Sequence, residues 1–207
     1  GLVSHRRLSN GDDKPYELNI SWWSAMEDSS RDSNRFQFER FILTQLLVMA
    51  LKGVPAFYLP ALLASENDIK RFSMTGQRRD LNREKFKSDN LLSVFNNPES
   101  NANKILKYLR SAMDVRSELK QFHPLSKMEC LSKGRSDIVV IKRSFGSESV
   151  FAIHNMTENK INYQLNDNDL PELNGNNLNM RDSLTSTEYS WKNISLCLLY
   201  TSPSPRD

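Results

Sequence analysis

Two short runs in this 207-residue chain hold side chains able to do chemistry. Lys14, Tyr16 and Glu17 supply a cation, a phenol and a carboxylate close together. Arg79, Asp80 and Arg83 lie in a polar stretch that also holds Arg78. A guanidinium can pair with a carboxylate and offer a fixed fork of donors to ligand hydroxyls. From this segment alone, however, Arg83 reads as a solvated loop arginine. No pair among His5, His123 and His154 has metal-ligand spacing, so no metal is assigned. Cys130 and Cys197 are too few for a disulfide scaffold or a zinc site. No cofactor is implied.

Composition bounds the class. The chain is 38% hydrophobic and 26% charged, as in an ordinary globular protein. Its net charge of +3 comes from interspersed signs, without the basic stripe and interleaved aromatics of a nucleic-acid binder. No apolar run reaches the length of a membrane span. The N-terminus is polar and does not resemble a signal peptide, so a cytoplasmic setting is expected, and the start reads as a truncation. The sequons at Asn19, Asn155 and Asn193 then read as chance in an Asn-rich chain. Residues 197–207, CLLYTSPSPRD, can be written codon for codon as a transposon-end sequencing adaptor translated in frame, and are read as non-native.

The elements that must position the polar runs follow from periodicity. Residues 1–33 read as a long loop around an aromatic island, LNISWWSAM. Asp32 or Ser33 would cap a helix whose apolar positions run from Phe36 to Ala50, with Gly53 as the stop. VPAFYL, residues 54–59, reads as a buried strand. A second amphipathic helix is expected over about 103–122, ended by His123 and Pro124. The period then changes: MECLSK, DIVVIKRSF, SVFAIHNM and KINYQLN are short β-rich runs of antiparallel pattern. The expectation is the end of an α/β domain over 1–125, a small all-β domain over 126–196, and an Asn-rich loop near 166–179.

Two stretches carry a family resemblance: KPYELNISWWSAM, Lys14 to Met26, and GVPAFYLPALLASENDIKRFSMTGQRRDLNREK, Gly53 to Lys85. Together they resemble the sucrose phosphorylase branch of glycoside hydrolase family thirteen, in the α-amylase superfamily. The branch includes sucrose-phosphate and glucosylglycerate phosphorylases. The resemblance implies that VPAFYL is the eighth strand of a (β/α)8 barrel, and that the loop after it lies at the C-terminal mouth, where barrel enzymes place their sites. It also implies a retaining double displacement in which phosphate takes the glucosyl group and yields α-glucose 1-phosphate. That chemistry needs two carboxyl groups about 5 Å apart. In the family they lie upstream of the segment represented here, so no catalytic residue is assigned and the isolated chain is expected to be inactive.

The same resemblance gives the site residues roles. Arg83 corresponds to an arginine that reaches the glucosyl subsite. Tyr16 and Glu17 correspond to the acceptor-side loop, where well-known sucrose phosphorylases read L-D-L-Y-Q and this chain reads Asp13-Lys14-Pro15-Tyr16-Glu17. Lys14 in place of an acidic residue favours an anionic acceptor over plain sucrose. Arg79 and Asp80 are expected to pair and shape the loop, and Asn67 and Asp68 to stabilise a turn. The expected partners are a sugar and inorganic phosphate. A hydrolase or transglucosidase of the same superfamily and a non-catalytic sugar-binding module are the competing readings.

Overall fold

The computed structural model describes residues 1–28, 30, 35–132, 134–166 and 179–197. The cap expected at Asp32 or Ser33, most of the Asn-rich tract and the segment after Cys197 lie outside them. The chain forms two compact units. One joins Gly1–Phe41 to Ala56–Tyr108, and the other joins Ile42–Pro55 to the described residues of Leu109–Asp207. This division differs from a single boundary at 125/126.

The first unit opens with a hairpin where the sequence reading expects a loop. Strands β1 (Leu2–Arg7) and β2 (Asp13–Asn19) pair antiparallel. Their turn is closed by Leu8 N–H donating to the Asp12 carbonyl at 2.8 Å. Gly11 sits at φ +89, a conformation that favours glycine. Helix α1 (Trp22–Ala25) follows, capped by Ser21, whose hydroxyl accepts from Ser24 N–H at 3.1 Å. Trp23 is core, its ring 5.5 Å from that of Phe41. Trp22 remains partly exposed.

Helix α2 (Gln37–Ala50) appears where its period places it. The expected strand at 54–59 does not. No strand pairs with this segment among the described residues, and α3 (Leu59–Leu62) begins within it, with Pro60 in its first turn. A strand is defined by its ladder, and an apolar run without a neighbouring strand has no backbone partners to form one. Accordingly Val54 is 80% exposed and Tyr58 55%.

The polar stretch after residue 64 is more regular than composition suggests. It holds α4 (Ile69–Thr75), a 3-10 turn (Arg78–Asn82) and α5 (Ser88–Asn96). Asp68 caps α4, accepting from Arg71 N–H at 2.9 Å. Gly76, at φ +65, ends the helix with its N–H on the Phe72 carbonyl. Helix α6 (Asn101–Glu118) closes the helical part.

In the second unit every strand pairing is antiparallel. Strands β3 (Lys127–Cys130), β4 (Ile138–Phe145) and β5 (Glu148–Asn155) form one sheet in that order. Strand β6 (Ile161–Tyr163) pairs with β9 (Ile194–Leu196), and β7 (Asn179–Arg181) with β8 (Glu188–Ser190). The core gathers Ile138, Val140, Tyr163, Leu165, Trp191 and Ile194. Ile138 and Val140 share one face of β4, and Ile141 and Arg143 share the other.

Strand β5 buries His154 completely, and burial pushes its imidazole down to about 4. An unfolded histidine takes up its proton near pH 6.5, whereas the folded one resists protonation until about pH 4. Stability from this group is therefore full above pH 6.5 and lost as pH falls towards 4, with a total of about 3 kcal/mol. Urea midpoints at pH 7.5 and 4.5 should fall further apart for the parent than for His154→Leu. Equal separation would remove His154 as the cause.

Candidate functional site

The sequence-predicted residues lie on β2, on the 3-10 turn and, for Arg83, just after that turn, all within the first unit. Hydrogen bonds tie the hairpin and α1 to the stretch from Asn67 to Asn82. Asn67 Oδ1 accepts from Ser21 N–H at 2.8 Å, and Asn67 N–H donates to Ser24 Oγ at 3.1 Å. Asn82 Nδ2 donates to the Ile20 carbonyl at 3.4 Å, and Arg78 donates to the Val3 carbonyl. Within the hairpin, the buried Asn19 Nδ2 donates to Ser4 Oγ at 2.8 Å.

On this base Arg79 Nε meets Glu17 Oε2 at 3.2 Å. The hydrogen bond and charge of Glu17 hold the Arg79 guanidinium above its ordinary range, with a smaller contribution from Tyr16. Arg79 does not pair with Asp80, as the sequence reading expects. Neighbours on a tight turn point different ways: Arg79 reaches β2, while Asp80 turns back to α4 and pairs with Arg71 Nε at 3.1 Å. A hydrogen bond from Thr75, and then Arg71, hold the Asp80 carboxyl below its ordinary range. Arg71 is thus a site-shaping residue that sequence reasoning missed. Nothing local in the sequence signals the pairing, since the chain runs through Gly76 and a change of helix type between Arg71 and Asp80.

Glu17, Arg79 and Tyr16 are therefore brought together. Lys14 is exposed on β2 and Arg83 is exposed just after the 3-10 turn, with no hydrogen bond or ion pair among the described residues. Asn82, next to Arg83, borders a cavity of about 340 Å³ with Trp22, Tyr58 and Pro60. Asn82 Oδ1 is buried there without a partner among the described residues. A larger cavity of about 650 Å³ lies in the second unit, with Leu46, Met49, Phe122, Phe151 and Ile153 in its walls. Its apolar lining suits packing better than sugar recognition. Among the described residues no helix is long and apolar enough to cross a membrane.

Solved structures share the fold of this chain over most of its length. AmyP in complex with maltose superposes with a TM-score of 0.61 at 13% identity, over 86% of this chain and 37% of its own. Sucrose 6F-phosphate phosphorylase from Thermoanaerobacter thermosaccharolyticum gives 0.53 at 16% identity, over 74% of this chain and 29% of its own. At such identities the likeness is one of fold.

Sequence takes the relationship further. Glucosylglycerate phosphorylase of Allomeiothermus silvanus is 30% identical over 159 residues, 76% of this chain and 28% of its own length. The enzyme of the same name from Spirochaeta thermophila is 28% identical over 158 residues, 76% of this chain and 27% of its own. Sucrose phosphorylase of Streptococcus mutans is 22% identical over 155 residues, 74% of this chain and 29% of its own. The chain is a homologue of the glucosylglycerate and sucrose phosphorylases over about 76% of its residues, and spans just over a quarter of their length. No protein-family profile matches it.

Proposed function

We propose that this chain is part of a retaining glycoside phosphorylase that transfers a glucosyl group from an α-glucoside to inorganic phosphate, releasing α-glucose 1-phosphate. On this reading residues 1–125 are the last part of a (β/α)8 barrel, 126–196 its C-terminal β domain, and residues 54–59 the eighth barrel strand, flanked by strands from a longer polypeptide. The reacting carboxylates come from that longer polypeptide: one attacks the anomeric carbon while the other protonates the leaving oxygen. The observation that carries the proposal is the homology to phosphorylases across three quarters of the chain.

The geometry supports roles for this chain's own residues. Arg83, exposed and unpaired among the described residues, is free to present its donor fork to the glucosyl hydroxyls. The Arg79–Glu17 pair, with Asp80 anchored on Arg71, fixes the loop against β2 beside Tyr16 on the acceptor side. Lys14 favours an acceptor that carries negative charge, and the glycerate of glucosylglycerate is such a group.

The test is to express the uninterrupted genomic reading frame and incubate it with sucrose, sucrose phosphate or glucosylglycerate. Glucose 1-phosphate should form only when phosphate is present, fastest with an anionic glucoside. Free glucose released at the same rate without phosphate would overturn the reading in favour of a hydrolase.

A further inference from the structure

The pairing of β1 with β2 places a second cation beside Lys14. Arg6 lies directly across from it in the antiparallel register. Like charges in opposite positions repel, and a hairpin meant only to fold would avoid them. Neither side chain has an ion pair or hydrogen bond among the described residues, and both are exposed. The two carboxylates on the hairpin strands are committed or turned away. Glu17 is held by Arg79, and Asp13 sits across from Arg7 on the opposite face of the ribbon.

The side of the ribbon on which the two cations lie follows from an irregularity. The register passes from Ser4↔Glu17 to His5↔Pro15, so Tyr16 is an extra residue in β2. Without it, Lys14 and Glu17 would point to opposite faces, since side chains alternate along a strand. With it, Arg6, Lys14, Ser4, Glu17 and Asn19 all share one face. That face turns towards the 3-10 loop: Ser4 and Asn19 are buried in it, and Glu17 grips Arg79. The uncompensated cation pair is thus the outward continuation of the surface that carries the Glu17–Arg79 contact.

We propose that Arg6 and Lys14 together bind the anionic group of the acceptor half of the substrate, a carboxylate or phosphate ester, with Arg6 as a specificity-determining residue. The proposal rests on the phosphorylase reading and deepens it. Two cations side by side match a bidentate anion and give nothing comparable to a neutral hydroxyl. The Tyr16 bulge is what brings them onto the acceptor side.

The test uses the full-length enzyme in the synthetic direction, with saturating glucose 1-phosphate and either D-glycerate or glycerol as acceptor. Arg6→Gln should raise the KM for glycerate by roughly tenfold to a hundredfold, with a much smaller effect on glycerol. Arg6→Lys should recover part of the loss, and Lys14→Gln should repeat the selective effect. Equal effects on both acceptors, or none on either, would overturn the proposal. So would a rise confined to the KM for phosphate in the forward reaction, which would make the pair a cosubstrate site. A parent enzyme that forms no glucose 1-phosphate would instead remove the phosphorylase reading, and this proposal with it.

Discussion

Arg143→Leu should destabilise the protein by about 3 kcal/mol or more, a fall in Tm of about 6–12 °C for a chain of this size. Arg143 has no exposed surface, yet it is charged. Its Nη1 donates to the carbonyls of Ala50 at 3.1 Å and Leu51 at 2.9 Å, and its Nη2 to that of His123 at 2.9 Å. Arg116 joins it, donating to the carbonyls of Met49 and Gly53. Both guanidinium groups also lie over the Phe122 ring, at 5.2 Å for Arg116 and 5.6 Å for Arg143.

The two arginines thus serve the carbonyls that the end of α2 leaves without helical partners, at the negative end of its dipole. Burial, and the neighbouring positive charge, push the Arg143 guanidinium below its ordinary range, so the carbonyl dipoles offset a real cost. Leucine would fill much of the space but leave three acceptors short of donors. Arg143→Lys should fall between parent and leucine variant, because one ammonium cannot span the three carbonyls. Thermal and urea melts decide it: a leucine variant within 1 kcal/mol of the parent would show that water satisfies these carbonyls.

Nothing local in the sequence announces this cluster. Alternation along DIVVIKRSF places Arg143 on the face of Ile141, but its acceptors on α2 lie 92 and 93 residues away. Where the signal was local, it was legible. The helical period located α2 and α6, and the switch to short β-rich runs located β3 to β6. Apolar alternation does not reveal the hairpin, because its buried positions, Ser4 and Asn19, are polar while Val3, Tyr16 and Leu18 are exposed; Asn10–Gly11 is the one local hairpin signal. The apolar run at 54–59 has the composition of a buried strand but forms none among the described residues, because composition cannot provide the neighbours a ladder needs. At the site, residue identity placed Glu17 and Arg79 in play, while their pairing, and that of Asp80 with Arg71, depends on how a 3-10 turn directs adjacent side chains.

Arg83→Ala carries the largest expected effect on activity. In the full-length enzyme it should lower kcat/KM about a hundredfold, the value of one or two hydrogen bonds from a charged donor to substrate, ~2.7 kcal/mol. Stability should barely move, since Arg83 is exposed and holds no partner among the described residues that its removal would orphan. That contrast separates it from its neighbours. Arg78 and Arg79 fasten the loop to the hairpin, so their loss should disturb loop geometry and binding together. If the Arg83 fork strengthens its grip as the sugar flattens towards the transition state, the loss should fall on kcat more than on KM. Arg83→Lys should then restore little, because a point charge cannot reproduce a planar pair of donors. An alanine variant with parental kcat/KM on every α-glucoside tested would place Arg83 in solvent and leave the glucosyl subsite without a residue from this chain.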